Sequence, residues 1–74
     1  MRRFNAEQIS ANMKAIRKGK GLTQTDVAKV LGITKQAVCY MEKHPEHTTI
    51  NRLNVLADLY GVSTRAFFDE KVCN

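Results

Sequence analysis

This sequence is short of cysteine, of acidic residues and of long apolar runs, and each shortage excludes something. Only Cys39 and Cys73 occur, one inside a helical pattern and one beside the C-terminus, so no disulfide framework can be drawn and a reducing cytoplasm is expected. No apolar run approaches the ~18 residues of a membrane span, and "MRRFNAEQIS" lacks the apolar core of a signal peptide. The expectation is a chain that stays where it is made. Seventy-four residues leave no room for a second, ligand-sensing domain. One domain over 1–74 is expected, with its core at about 5–68 and a polar tail at 69–74. Seven Asp and Glu against twelve Lys and Arg give net charge +5 and a pI near 9.6. In so short a chain that points to a polyanionic partner, although a solvated basic face would give the same balance. The 43% hydrophobic and 26% charged content is ordinary for a globular domain.

No segment reads as a strand, repeats or is of low complexity; the apolar residues instead recur at helical spacing. Ile9, Met13 and Ile16 mark one face of a first helix, with Asn5 and Gln8 placed as a capping box, and "RKGKG" ends it. Thr23 caps a short second helix with Asp26 in its first turn and Val27, Ala28 and Leu31 inward. Gly32 then supplies the left-handed residue that stops a helix, Ile33 turns back to the core, and Thr34 caps a third helix with Val38 and Met41 inward. After "HPEHTT", which holds the single proline, Ile50, Leu53, Leu56, Ala57 and Tyr60 predict a fourth helix ending at Gly61. Val62 packs beyond it, and Ser63 or Thr64 caps a fifth, short helix carrying Phe67 and Phe68. The expected fold is all-α, five helices in one compact unit.

Two short helices joined by a glycine-containing turn of three or four residues form a helix-turn-helix, whose second helix projects for the major groove. Ala28 is the small residue that a steep crossing needs. With Val38 and Met41 inward, Gln36, Tyr40 and Lys43 point outward and Lys35 and Cys39 lie on one flank. That face is rich in donors and has no acid, as contact with DNA requires.

The stretch "LTQTDVAKVLGITKQAVCYMEK" resembles the helix-turn-helix of the Cro and C1-type phage repressors, the XRE family, and "MKAIRKGKGLTQ" and "LNVLADLYGVSTRAFF" resemble that family's flanking helices. The resemblance implies a lambda-repressor-like domain in which Lys35, Gln36 and Tyr40 approach base edges with Cys39 nearby. It implies phosphate contacts from Gln24, Thr23 and Lys43, and from the loop and fourth helix through Thr48, Thr49, Asn51 and Arg52. It also implies an internal ion pair between Arg17 and Glu42. Cys39 stands where a serine or another polar residue is common, and His44 where glycine is frequent, so base preference does not carry over.

Some constellations lead elsewhere. Cys39, Glu42, His44 and His47 are close in sequence but not at the spacing of a zinc finger, and a Cys-His pair here lacks an orienting third group. No metal, cofactor, small-molecule ligand or catalytic activity is expected. Met1, Met13, Met41, Phe67 and Phe68 read as core or interface fillers. Val55, Leu59 and Phe68 have no evident inner positions and form the expected interface of a homodimer on a two-fold-related operator. The functional expectation is a Cro-like repressor binding double-stranded DNA. Two alternatives share its chemistry, a restriction-modification controller and an antitoxin, and one of another class does not: a protein-interaction module whose basic face meets an acidic partner.

Overall fold

The computed structural model describes residues 5–69; Met1 and Cys73, named above, lie outside them, as does the tail beyond Asp69. Four α-helices, α1 (Ala6–Gly19), α2 (Gln24–Leu31), α3 (Lys35–Lys43) and α4 (Ile50–Tyr60), are joined by short turns, and no strand occurs among the described residues. The expected fifth helix is instead a 3-10 segment, Thr64–Phe68, and a second 3-10 turn, Pro45–His47, lies inside the "HPEHTT" loop. Both differences are matters of length. Ser63 accepts from the amide of Arg65, two residues on, where the α-helical caps of this chain reach three. Five residues then carry Phe67 into the core before the chain leaves. Pro45 is buried and pre-sets the first residue of its turn.

Local chemistry explains each helix start. Asn5 accepts from the amide of Gln8, but the Gln8 side chain donates to Asn12 rather than back to Asn5, so only half of a capping box forms. Thr23 and Asp26 make a complete one: the Asp26 amide donates to Thr23 Oγ1 at 3.0 Å and the Thr23 amide to Asp26 Oδ2 at 2.9 Å. The amide of Thr23, followed by its hydroxyl, holds the Asp26 carboxyl below the usual carboxylate range.

The sequence patterns "LGIT" and "YGVS" perform the same operation twice. Gly32 and Gly61 both sit at φ 70°, the left-handed region that costs glycine least. The following residue sends its amide back to the helix, Ile33 to Ala28 O at 3.0 Å and Val62 to Ala57 O at 2.9 Å. A hydroxyl residue, Thr34 or Ser63, then caps the next element. The first copy makes the corner between α2 and α3; the second folds Phe67 under α1.

The core contains Ile9 and Met13 of α1, Val27 and Ala28 of α2, Val38 and Met41 of α3, Leu53, Leu56, Ala57 and Tyr60 of α4, and Phe67. Ile16, Leu22, Leu31, Ile33, Leu59 and Val62 flank it. Ile50 departs from its expected inner position and is 62% exposed. It is the first residue of α4, following an exposed cap, so it has the period of the inner stripe without a layer to pack on. Leu59 departs in the other direction: it is half-buried at the edge of the core rather than left over.

Tyr60 is 2% exposed, with its ring edge-on to Phe67 at 6.3 Å. Burial, reinforced by the Glu42 carboxylate and opposed by Arg17, pushes its phenol up to about 12 from 10.0. A raised folded-state value favours the protonated form, so this contribution is complete below pH 10 and is lost as pH rises toward 12. Tyr60→Phe should flatten the decline in stability over that alkaline window; an unchanged slope in pH-dependent melting would show that Tyr60 is not the group responsible.

Candidate nucleic-acid interface

The corner at Gly32 projects α3 from the body of the domain. Its inner side is closed by Val38, Met41 and Glu42, all at most 5% exposed, and its outer side presents Lys35, Gln36, Tyr40 and Lys43. Cys39 is half-buried on the flank. The sole acid of α3, Glu42, is therefore turned inward, and the solvent-facing surface of the helix is cationic and polar.

Glu42 is held by three donors. Arg17 Nε donates to Oε2 at 2.7 Å, Arg17 Nη2 to Oε1 at 3.4 Å and Gln24 Nε2 to Oε1 at 2.9 Å, while Arg17 Nη1 donates to the carbonyl of Leu22 at 2.8 Å. With 8% and 1% side-chain exposure the Arg17–Glu42 pair is internal. It ties α1 and the turn before α2 to α3, and so fixes the angle at which α3 leaves the core. Gln24, at the first position of α2, is drawn into the same network and is half-buried. Its one short contact among the described residues is with Glu42, on the boundary between structural network and exposed rim.

Beside that network lies an open groove of about 580 Å³, lined by Lys18, Thr23, Gln24, Thr25 and Lys35 among others. It joins the start of α2 to the start of α3, with Lys18 and Lys35 on its rim, an arrangement suited to phosphate. On the far side of α3 a second groove of about 270 Å³ separates Tyr40 from Thr48, Thr49 and Arg52. Thr49 caps α4 by accepting from the Arg52 amide, which leaves its hydroxyl hydrogen able to donate outward. Thr49, Asn51 and Arg52 are exposed. The structure thus places Lys35, Gln36, Tyr40 and Lys43 on one face, with Thr23 and Gln24 at one rim and the α4 start at the other. Val55 and Phe68 are elsewhere, 47% and 40% exposed.

Sequence reasoning missed two groups. Asn12 is fully buried and donates to the carbonyls of Phe67, at 2.8 Å, and Asp69. Its place three residues after Ile9 and four before Ile16 puts a polar side chain on the inner stripe, which was the available signal. The second group is the contact of Tyr40 with the rings of His44 and His47; the spacing of four between Tyr40 and His44 was the available signal for the first ring, and none announced the second. Among the described residues no three His, Cys, Asp or Glu side chains converge as metal ligands would.

Comparison with known proteins agrees with this geometry. A family model described as helix-turn-helix matches residues 13–67. Antitoxin HipB of Escherichia coli (strain K12) is 32% identical over 47 residues, which cover 64% of this chain and 53% of that protein. The chain therefore matches about half the length of this relative. No solved structure gives a significant match.

Proposed function

The chain belongs to the helix-turn-helix family of XRE type, and from this we propose that it is a sequence-specific binder of double-stranded DNA that represses transcription as a homodimer in the cytoplasm. The observation that carries the proposal is the acid-free outer face of α3, presented beyond the Gly32 corner and flanked by two grooves, one rimmed by Lys18 and Lys35 and the other by Arg52. Lys35, Gln36 and Tyr40 read base edges, with Cys39 beside them. Thr23, Gln24, Lys43, Thr49, Asn51 and Arg52 hold phosphates. Occupying a promoter suffices for repression, and no catalytic, metal or cofactor chemistry is invoked. Selection of bound sites from a random duplex pool tests the whole reading: a near-palindrome should emerge, and absence of enrichment would reject it.

Within that reading Gln36, in the first turn of α3, reads a base edge, adenine by the geometry of its amide. Gln36→Ala should cost about 1–3 kcal/mol on the selected site and spare random duplex. Lys43→Ala should weaken all sequences alike and lower the salt slope by about one unit. Equal loss on both duplexes for Gln36→Ala, or an unchanged slope for Lys43→Ala, removes the residue from its assigned role.

The dimer rests on Val55 and Phe68, exposed apolar groups, with Leu59 contributing its outer edge. A two-fold pair would set two copies of α3 about one DNA turn, roughly 34 Å, apart. Phe68→Asp should leave the fold intact, shift sedimentation to monomer and weaken binding to the palindrome; a variant that sediments with the parent dimer refutes this interface. A second reading, an antitoxin that also engages a toxin, is favoured by the likeness to HipB. A restriction-modification controller would use the same face. The protein-interaction module differs in one measurable respect, since its affinity for duplex would be absent or flat with salt.

A further inference from the structure

Tyr40 is 51% exposed in the middle of the outer face of α3, where a phenol ring would ordinarily exchange between rotamers. Here two other rings confine it. His44, one turn further along, lies with its ring centroid 4.8 Å from that of Tyr40, tilted by 44°. His47, contributed by the following 3-10 turn, stands 6.3 Å away and nearly perpendicular, at 85°. The two imidazoles are 5.9 Å apart at 70°. Offset and edge-on arrangements of this kind are the favoured ones for aromatic pairs.

A carboxylate sits between the two rings: Glu46 Oε2 lies 3.4 Å from His44 Nδ1, within hydrogen-bond reach, and 3.7 Å from His47 Nε2, a longer approach. Buried Pro45 seats the turn between them, and the Thr48 hydroxyl donates to the His44 carbonyl at 3.3 Å. The anion at Glu46 also argues against a phosphate role for this pair, because a phosphate approaching either imidazole would meet the carboxylate.

We propose that His44 and His47 are positioning residues for sequence recognition, forming a ring shelf that holds Tyr40 in one orientation toward the base edges. This rests on the DNA-binding reading of α3. Specificity at the base pair facing Tyr40 is then set partly by two residues beyond the outer face of α3 itself. A fixed ring presents an apolar surface suited to a thymine methyl group and a hydroxyl able to donate or accept. Pre-ordering it means that less side-chain freedom is lost when DNA arrives.

The test has one arm without DNA and one with it. In the free protein, three-bond couplings should report a single Tyr40 χ1 rotamer, averaged in His44→Ala and His47→Ala. On DNA, each variant should lower the ratio of selected-site to random-duplex affinity by roughly three- to tenfold, the range expected for ordering one side chain. Random-duplex affinity and the salt slope should not change, and His44→Phe, which restores a ring without charge, should recover both readouts. A single Tyr40 rotamer in the doubly substituted His44→Ala, His47→Ala protein overturns the shelf. So does a salt slope that falls by about one unit and is not recovered by His44→Phe, which would make His44 a phosphate ligand. A parent protein that does not discriminate between duplexes overturns the recognition role through the DNA reading itself, while the rotamer measurement still judges the shelf.

Discussion

Glu42→Ala should destabilise the domain by about 3–5 kcal/mol, the cost of stranding a buried charge by removing its partner. A domain of this length has roughly 4–11 kcal/mol in total, so a large fraction of the variant should be unfolded at moderate temperature. The geometry makes the loss severe. Arg17 would keep its 2.8 Å bond to the Leu22 carbonyl but lose both bonds to the carboxylate, and Gln24 would lose its 2.9 Å acceptor. Replacing both charges with apolar residues, Arg17→Met with Glu42→Leu, should recover part of the stability, because no unpaired charge then remains. It should not recover DNA affinity fully, since the pair also sets the angle of α3 and holds Gln24 at the rim. Urea denaturation of the three proteins decides. A Glu42→Ala protein that melts with the parent and loses only DNA affinity would show that the pair belongs to the interface rather than to the fold.

Asn12→Ala is expected to cost about 2–4 kcal/mol, since each buried polar group left without a partner costs roughly 1–3. The Asn12 amide donates to the carbonyls of Phe67 and Asp69, and its own carbonyl accepts from Gln8. These bonds grip the chain on either side of Phe68. With residue 67 fully buried and the carbonyls of 67 and 69 held on α1, Phe68 is directed away from the core. The substitution should therefore act twice, lowering the melting temperature and weakening self-association, with amide exchange rising first in the segment from Ser63 onward. Asn12→Asp should be worse, because an ionised carboxylate has no hydrogen to give to two carbonyl oxygens. If Asn12→Ala melts within about 0.5 kcal/mol of the parent, as an ordinary surface change would, the Asn12 bonds contribute little to holding the C-terminal segment.

Much of this molecule was legible before any coordinates. The 3.6-residue period places Ile9, Met13, Val27, Val38, Leu53, Leu56 and Tyr60 inward, and each is buried, because a helix has only one way to cover an apolar stripe. The caps at Thr23 and Thr34 and the left-handed turns at Gly32 and Gly61 depend on chemistry within three or four residues, so local sequence suffices for them. The outer face of α3 follows from the inner one by geometry. Ile50 obeyed the same period and is exposed, because period says which way a side chain points and not whether another element lies there. Whether Thr64–Phe68 became a helix was decided by how soon Phe67 had to reach the core. The burial of Asn12, the sharing of Glu42 between Arg17 and Gln24, and the approach of His47 to Tyr40 belong to tertiary structure. Asn12 finds its acceptors 55 and 57 residues away, Arg17 and Glu42 are separated by 25, and the ring cluster exists only because the Pro45–His47 turn brings its second histidine back toward α3.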